Sequence, residues 1–146
     1  MRLWLALVGG VMALLCLGGV GVVVSLYDNA TKINRSAPDA VVDNFLGAYL
    51  VNRNDREASL YECKSGGDFG AIAAYRNDIA RREKDFSVGI TVTWSSLEVS
   101  TNGARGTVTA NLTRTLTDQT GRDSESWRFD VVDQNGWRIC GAAPLS

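Results

Sequence analysis

The feature that most constrains this chain is a long uncharged segment near its N-terminus. Residues 3–26 form a run of 24 residues without a charged side chain. As an α-helix the run would be about 36 Å long, and the hydrocarbon core of a bilayer is roughly 30 Å thick. Trp4 and Tyr27 lie near its two ends, where amphipathic rings favour the membrane interface. The sequence therefore predicts a transmembrane helix through residues 3–26, inside an N-terminal signal anchor of residues 1–27.

Two other fates of this segment stay open. A cleaved signal peptide needs small residues at its −3 and −1 positions, and Gly19 and Gly21 could serve, although the apolar run continues beyond them. A lipoprotein would carry its lipidated cysteine after a small residue, whereas Cys16 follows two leucines. The length of the run favours an uncleaved anchor over both alternatives.

The charges around the segment are nearly balanced. Arg2 and the α-amino group precede it, and Lys32 and Arg35 follow it, so the positive-inside rule gives almost no preference. The very short region before the apolar run is typical of a signal sequence, which favours a cytoplasmic N-terminus. We therefore expect a single-pass cell-membrane protein whose C-terminal domain lies outside the cytoplasm.

Two cysteines lie outside the membrane segment, Cys63 and Cys140, which are 77 positions apart. Two thiols in a small exported domain usually pair. A metal site needs more ligands than two cysteines offer in a chain without histidine, and a redox pair is usually a close C-x-x-C. We predict a structural disulfide between Cys63 and Cys140, which stabilises the fold by about 4 kcal/mol in the chain-entropy model.

The ionisable residues argue against several classes of function. The net charge is −1, from 15 basic and 16 acidic residues, which is unlike the basic surplus of a nucleic-acid binder. The absence of histidine removes the commonest general base near neutral pH and the commonest metal ligand. The expectation is a protein that binds no nucleic acid and has no catalytic residue, no cofactor and no metal.

The first half of the domain begins with a predicted helix. Ser36 and Asp39 flank Pro38 in a pattern typical of a helix start, with Ser36 as the capping residue. A broad apolar face of helical period then continues to about Arg53. Its members are Val41, Val42, Phe45, Leu46, Tyr49 and Leu50.

Two further helices are expected before the sheet. The second, about residues 56–63, would turn Leu60 and Cys63 inward. The third would be capped by Asp68. Its apolar residues share one side, and they are Phe69, Ile72, Ile79 and Phe86. The charged run at residues 81–85 is interpreted as a solvated helix end.

From residue 88 onward the apolar period changes from 3.6 to 2. Turn signals such as Asn102-Gly103 separate four strands, and a change of parity near Ser95-Ser96 predicts a β-bulge. The predicted fold class is α+β: an N-terminal transmembrane helix, then three helices packed on a curved four-stranded antiparallel sheet. We expect a linker at residues 28–36 and an extracytoplasmic α+β domain at residues 37–146.

The domain opens on the helix AVVDNFLGAYLVNRND and closes on a strand of the type NGWRIC. With the anchor and the element order, this resembles the nuclear transport factor 2-like cone fold, also described as ketosteroid-isomerase-like or cystatin-like. The chain looks like small membrane-anchored members from actinobacteria. It is similar to proteins that accompany mammalian-cell-entry lipid transporters and to the periplasmic inner-membrane component of type IV secretion systems. The resemblance implies a curved sheet around the first helix and a role in a cell-envelope assembly.

The resemblance carries over no catalytic residue. Enzymes of that superfamily place an Asp with a His or Tyr inside the cone, and this chain has no His. Asp43 and Tyr49 are interpreted as a solvated carboxylate and a tyrosine at the edge of the core. Trp94, Trp127 and Trp137 fall on alternating strand positions. They could line a ligand cavity, but inward aromatic residues are more often core.

Two hypotheses for function follow. The first is a non-enzymatic, membrane-anchored accessory or interaction protein of the cell envelope, which binds a partner protein in a transport or secretion assembly. The alternative is a binding module for a lipid or other small apolar ligand in the cone cavity. A cavity of several hundred Å³ would favour the alternative, and a solid core would favour the first.

Overall fold

The computed structural model of the chain describes residues 33–146. The predicted anchor, residues 1–27, and most of the predicted linker, residues 28–36, lie outside the described residues. Within residues 33–146, no helix combines the length and the hydropathy needed to cross a membrane. Residues 34–146 form one compact unit.

The described part of the chain contains three α-helices followed by four strands. The helices are α1 (Pro38–Leu46), α2 (Asp55–Ser59) and α3 (Gly70–Phe86), and a π-helical turn (Gly47–Val51) extends α1. The strands are β1 (Ile90–Asn102), β2 (Arg105–Leu116), β3 (Arg122–Asp133) and β4 (Trp137–Pro144). The predicted α+β class, with helices before a four-stranded antiparallel sheet, is confirmed for this part of the chain.

Helix α1 starts at the predicted position but without the predicted cap. Pro38 occupies the first turn, where its missing N–H removes no helical hydrogen bond. Ala37 is the N-cap residue and makes no side-chain cap. The Ser36 hydroxyl donates instead to Asn34 Oδ1 at 2.7 Å, so the capping role predicted for Ser36 is wrong. The predicted apolar face is confirmed, with fully buried side chains at Val41, Val42, Phe45 and Leu46.

Helix α2 is shorter than predicted. Asn54 Oδ1 accepts a hydrogen bond from the Glu57 N–H at 3.2 Å and caps the start. The helix ends at Ser59 and does not reach residue 63. Leu60 is 40% exposed and the next residue, Tyr61, is buried. The prediction that Leu60 faces the core is therefore wrong, because the chain leaves the helical spacing one residue before it.

Helix α3 follows the prediction except at its two ends. Ile72 and Ile79 are buried as predicted. The N-cap residue is Phe69, which makes no side-chain cap, so the capping role predicted for Asp68 is wrong. Asp68 instead accepts a hydrogen bond from the Gly70 N–H at 3.2 Å in the turn before the helix. Phe86, predicted to share the apolar side of Ile72 and Ile79, is 67% exposed. It ends the helix, and Ser87 then turns the chain away in the left-handed region with φ 53°.

The sheet is a meander in the order β1-β2-β3-β4, and each strand is antiparallel to the next. The register between β1 and β2 shifts between Ser95 and Glu98, and Ser96 has φ 57°. The β-bulge predicted at Ser95-Ser96 is thus confirmed. Apolar residues of β2 and β3 alternate into the core as predicted, and they are Val108, Ala110, Leu112, Trp127, Phe129 and Val131.

Cys63 and Cys140 form the predicted disulfide, with Cα atoms 5.0 Å apart. Cys140 has the opposite strand parity to the core residue Ile139, so α2 cannot reach it from the helical face. The chain after α2 instead runs parallel to β4. The Ile139 N–H donates to the Tyr61 carbonyl at 2.8 Å, and the Cys63 N–H donates to the Ile139 carbonyl at 2.7 Å. This pairing brings the two cysteines together at the sheet edge.

The core lies between the helices and one face of the sheet. The bulkiest fully buried side chains are Trp127, Phe45, Phe129, Leu46, Ile72 and Ile79. These side chains, the four strands and the disulfide all belong to residues 34–146. This segment therefore holds the core and the covalent link that a small domain needs to fold by itself.

Candidate ligand-binding groove

A groove of about 480 Å³ lies between the C-terminal end of α3 and the adjacent ends of β1, β2 and β3. Its apolar part comes from four side chains, Phe86, Val88, Ile90 and Leu116. Phe86 is exposed at the rim, and the other three are half-buried. The end of a helix and the ends of three strands meet here, so apolar residues remain in contact with solvent beside charged ones.

The charged part of the groove is built around Arg114. Its Nε donates to Asp123 Oδ1 at 2.9 Å, and a second guanidinium nitrogen binds the other oxygen of the same carboxylate. Its Nη1 donates to Asp78 Oδ2 at 3.0 Å. Arg114 and Asp123 face each other in the β2–β3 register, whereas Asp78 comes from α3. The guanidinium therefore ties the helix to both strands.

Asp78 is shared by three arginines. Arg81 binds its Oδ1, while the Arg82 Nε lies 2.8 Å and the Arg114 Nη1 3.0 Å from its Oδ2. The hydrogen bond from Arg81 and the charges of Arg82 and Arg114 hold the pKa of Asp78 below its ordinary value. The hydrogen bond from Arg114 lowers the pKa of Asp123 in the same way. Both carboxylates are therefore held in the charged form at neutral pH.

Arg114, Asp78 and Asp123 together form a charged wall of the groove, and Tyr75 lies behind it. The Arg114 guanidinium carbon is 4.7 Å from the centroid of its ring, and the ring packs edge-on against Trp127 with centroids 5.3 Å apart. Its hydroxyl is buried and has no hydrogen-bond partner among residues 33–146. Burial raises the pKa of Tyr75 to about 12, so the phenol stays neutral.

The turn between β2 and β3 closes one side of the groove. Asp118 Oδ1 accepts hydrogen bonds from the Thr120 N–H at 3.0 Å and the Thr120 hydroxyl at 2.8 Å. The backbone hydrogen bond from Thr120 lowers the pKa of Asp118. Arg122, the first residue of β3, is exposed at the same end.

Asp43 and Tyr49, the two residues considered from the sequence as a catalytic pair, lie outside the groove. Asp43 accepts a hydrogen bond from the Trp94 indole at 2.8 Å. Tyr49 stacks on Phe45 with ring centroids 5.3 Å apart, beneath the Arg76 guanidinium. The structure therefore gives Asp43 and Tyr49 separate partners. None of these residues lines the groove.

The three tryptophans considered as cavity lining do not line the groove either. Trp127 is 2% exposed and belongs to the core, as the interpretation of inward aromatic residues predicted. Trp94 and Trp137 are half-buried. Within residues 33–146, no group of three or more cysteine, aspartate or glutamate side chains is placed to hold a metal ion.

Sequence reasoning missed the charged wall. It interpreted residues 81–85 as a solvated helix end, whereas Arg81 and Arg82 bind Asp78 and Glu83 binds Arg53 at 2.8 Å. One signal was present, since Asp78 precedes Arg81 and Arg82 by three and four residues, a spacing that places side chains together on a helix. The position of Arg114 on the inner parity of β2 was a second signal.

The fold matches that of known structures, while no protein-family model and no curated protein sequence matches the chain. A protein of unknown function from Nostoc punctiforme, described as having a cystatin-like fold, aligns with a TM-score of 0.51 at 15% identity. The alignment covers 71% of this chain and 84% of that one. A protein of unknown function from Mycobacterium tuberculosis aligns with a TM-score of 0.49 at 16% identity, over 72% and 73% of the two chains.

The alignment with the Nostoc structure assigns the fold. The domain has the cystatin-like, nuclear transport factor 2-like fold that its sequence resembles. At this level of identity the likeness concerns the fold alone, and residues with a function must be argued from the groove itself.

Proposed function

We propose that this chain is a non-enzymatic, membrane-anchored binding module that holds a small amphipathic ligand in the groove at the end of α3. The observation that carries the proposal is the groove itself, about 480 Å³ in volume. That volume is in the range of pockets for small organic molecules. Phe86, Val88, Ile90 and Leu116 supply an apolar surface beside fixed charges. The described part of the chain thus favours a ligand-binding module over a domain with a featureless surface.

The chemistry of the charged wall supports binding over catalysis. A general acid or base works best when its pKa lies near the working pH. The carboxylates of Asp78, Asp118 and Asp123 have lowered pKa values, and that of Tyr75 is raised to about 12. The pKa values of all four groups therefore lie far from neutral pH. This arrangement suits the fixed charge pattern of a binding site.

The predicted location agrees with the disulfide. Cystine links are common in exported domains and rare in the cytosol, and Cys63 and Cys140 are joined here. We propose that residues 3–26 hold the protein in the cell membrane, with the N-terminus in the cytoplasm and the domain outside. Anchoring would raise the local concentration of the groove near amphipathic molecules of the membrane.

The proposal is tested by photolabelling the full chain in lipid nanodiscs with twelve-carbon diazirine probes, followed by peptide mapping. Labelling is expected at residues 86–90 and 114–123. Phe86→Ser should reduce it about five- to tenfold, because an apolar contact of about 1 kcal/mol is lost. Val51→Ser is the matched control, since Val51 is 54% exposed and lies outside the groove. No enrichment at the groove for any probe, charged or neutral, would contradict the function.

A partner protein of the cell envelope is a second candidate function. β1 is an edge strand, and beyond the bulge its residues 98–102 are exposed, with Val99 44% exposed. A free strand edge can pair with a strand of another protein. Pull-down of the anchored chain should recover an envelope complex, and Val99→Lys should abolish the recovery. Equal recovery by that variant would exclude this edge as the contact.

A further inference from the structure

The charged side chains of the groove differ in how fully their hydrogen-bonding capacity is used. This difference bears on the chemical class of the ligand, so the inference rests on the proposed function and deepens it. Asp123 has both oxygens bound by Arg114. Asp118 accepts two hydrogen bonds from Thr120, both through Oδ1, and its Oδ2 makes no hydrogen bond among residues 33–146. The carboxylate of Asp123 is therefore committed to Arg114, and Asp118 keeps one oxygen as an acceptor.

Several guanidinium N–H donors of the groove make no hydrogen bond within the part of the chain that the structure describes. Arg82 binds Asp78 through its Nε, which leaves its terminal nitrogens uncommitted among the described residues, and its side chain is 46% exposed. Arg122 is exposed and has no carboxylate partner within residues 33–146. A guanidinium carries five N–H donors and no acceptor. The groove thus presents unused donors with positive charge beside an apolar surface.

We propose that the groove binds an amphiphile that carries one anionic group, a carboxylate or a phosphate, on an apolar chain. The anionic group accepts hydrogen bonds from the terminal nitrogens of Arg82 and Arg122, a geometry in which guanidinium groups bind oxyanions well. The apolar chain lies against Phe86, Val88 and Leu116. The groove is lined by three arginines, Arg82, Arg114 and Arg122, and by two aspartates, Asp118 and Asp123. This surplus of positive charge disfavours a cationic head group.

Arg114 has a supporting role in this site. Asp78 and Asp123 hold its guanidinium in place, and Asp78 also holds the Nε of Arg82. The ion pairs therefore fix the direction in which Arg82 presents its terminal nitrogens. A side chain fixed before binding loses less conformational entropy when the ligand arrives.

The test uses the full chain in phosphatidylcholine nanodiscs and twelve-carbon diazirine probes that differ only in head group. The probes are a carboxylate, a phosphate monoester, a primary alcohol and a trimethylammonium. One of the two anionic probes should label residues 86–90 and 114–123 at least about tenfold more than the alcohol, which corresponds to about 1.4 kcal/mol. The stronger of the two identifies the source of the anionic group.

Charge-removing variants locate the head group. Arg82→Gln and Arg122→Gln should each reduce anionic labelling severalfold, the double variant should reduce it to the alcohol level, and Arg122→Lys should recover part of it. Arg105→Gln is the matched control, because Arg105 is exposed at the opposite end of β2 from Arg114. Circular dichroism and an intact disulfide verify folding of each variant.

The outcomes separate the two proposals. Equal labelling by the anionic probes, the alcohol and the trimethylammonium, or no loss in the Arg82→Gln/Arg122→Gln variant, overturns the anionic inference and leaves the binding groove in place. Absence of groove labelling by all four probes overturns both.

Discussion

Arg114 occupies a position on β2 that its neighbours fill with apolar side chains. Val108, Ala110 and Leu112 alternate into the core, and Arg114 continues the same parity with only 15% of its side chain exposed. A charge removed from water is costly unless paired and hydrogen-bonded. For Arg114 this cost is offset by hydrogen bonds to Asp78 and Asp123 and by the face of the Tyr75 ring. Because Arg114 stands where the alternation predicts an apolar core residue, the core ends here and a charged side chain lines the groove.

The buried hydroxyl of Tyr75 gives a prediction at the scale of one residue. An unsatisfied buried polar group costs about 1–3 kcal/mol, and the Tyr75 hydroxyl has no partner within the described residues. Tyr75→Phe keeps the ring that packs on Trp127 and below Arg114. We expect the free energy of unfolding of residues 34–146 to stay unchanged or to rise by about 1 kcal/mol in urea denaturation.

Thr113→Val is the matched control for that experiment. Thr113 is 7% exposed, and its hydroxyl lies 2.7 Å from the Ser124 hydroxyl. Ser124 is exposed and can bond water once its partner is removed, so Thr113→Val should cost about 0.5–1.5 kcal/mol, the net value of one hydrogen bond. A loss for Tyr75→Phe as large as that for Thr113→Val would show that the Tyr75 hydroxyl makes a stabilising hydrogen bond.

Pairings within one helix were easier to predict than pairings across the sheet. Asp78 and Arg82 are four residues apart on α3, so helical spacing alone brings them together. Arg114 and Asp123 also face each other within a hairpin, but their pairing requires the β2–β3 register. Attaching Asp78 to Arg114 requires the packing of α3 on the sheet, which no local pattern contains.

At the scale of elements, periodicity predicted the strands, their inward residues and the bulge. It failed where an element ends. Leu60 and Phe86 continue helical spacings in the sequence, yet one follows the last residue of α2 and the other is the last residue of α3. The π-helical turn was also missed, since the Asn52 N–H donates to the Gly47 carbonyl at 2.9 Å and one extra residue enters the turn.

The segment between α2 and α3 covers the outer edge of β4. Cys63 and Asp68 both donate backbone hydrogen bonds to β4, at 2.7 Å to Ile139 and 2.9 Å to Cys140. The Cys63–Cys140 disulfide fixes this irregular segment against the strand. An uncovered strand edge invites pairing with other chains, so the cross-link also protects the sheet.

Removing this cross-link gives the prediction at the scale of elements. Its loop spans 77 positions, and the chain-entropy model assigns it about 4 kcal/mol. The Cys63→Ala/Cys140→Ala variant of residues 34–146 should lose about 2–4 kcal/mol in urea denaturation, and reduced wild-type domain should behave alike. A variant as stable as the oxidised wild type would contradict a stabilising role.

At the scale of the whole molecule, the proposed topology rests on two features. One is the run of 24 uncharged residues, which is long enough for a transmembrane helix, and the other is the cystine-linked domain, which is typical of an oxidising compartment. Both features are compatible with an anchored chain whose domain lies outside the cytoplasm. The fold class could be inferred from the sequence, whereas the groove depends on contacts between distant elements.

The proposed topology gives the last prediction. The full chain should stay in the membrane fraction after high-salt and carbonate washes, because the energy that holds residues 3–26 is hydrophobic. Protease added to intact spheroplasts should digest residues 37–146, while a cytoplasmic marker protein survives. Deleting residues 2–26 should keep the domain in the cytoplasm, with reduced thiols at Cys63 and Cys140. Protection of the domain in intact spheroplasts would invert the topology. It would also require that the Cys63–Cys140 disulfide form in a reducing compartment.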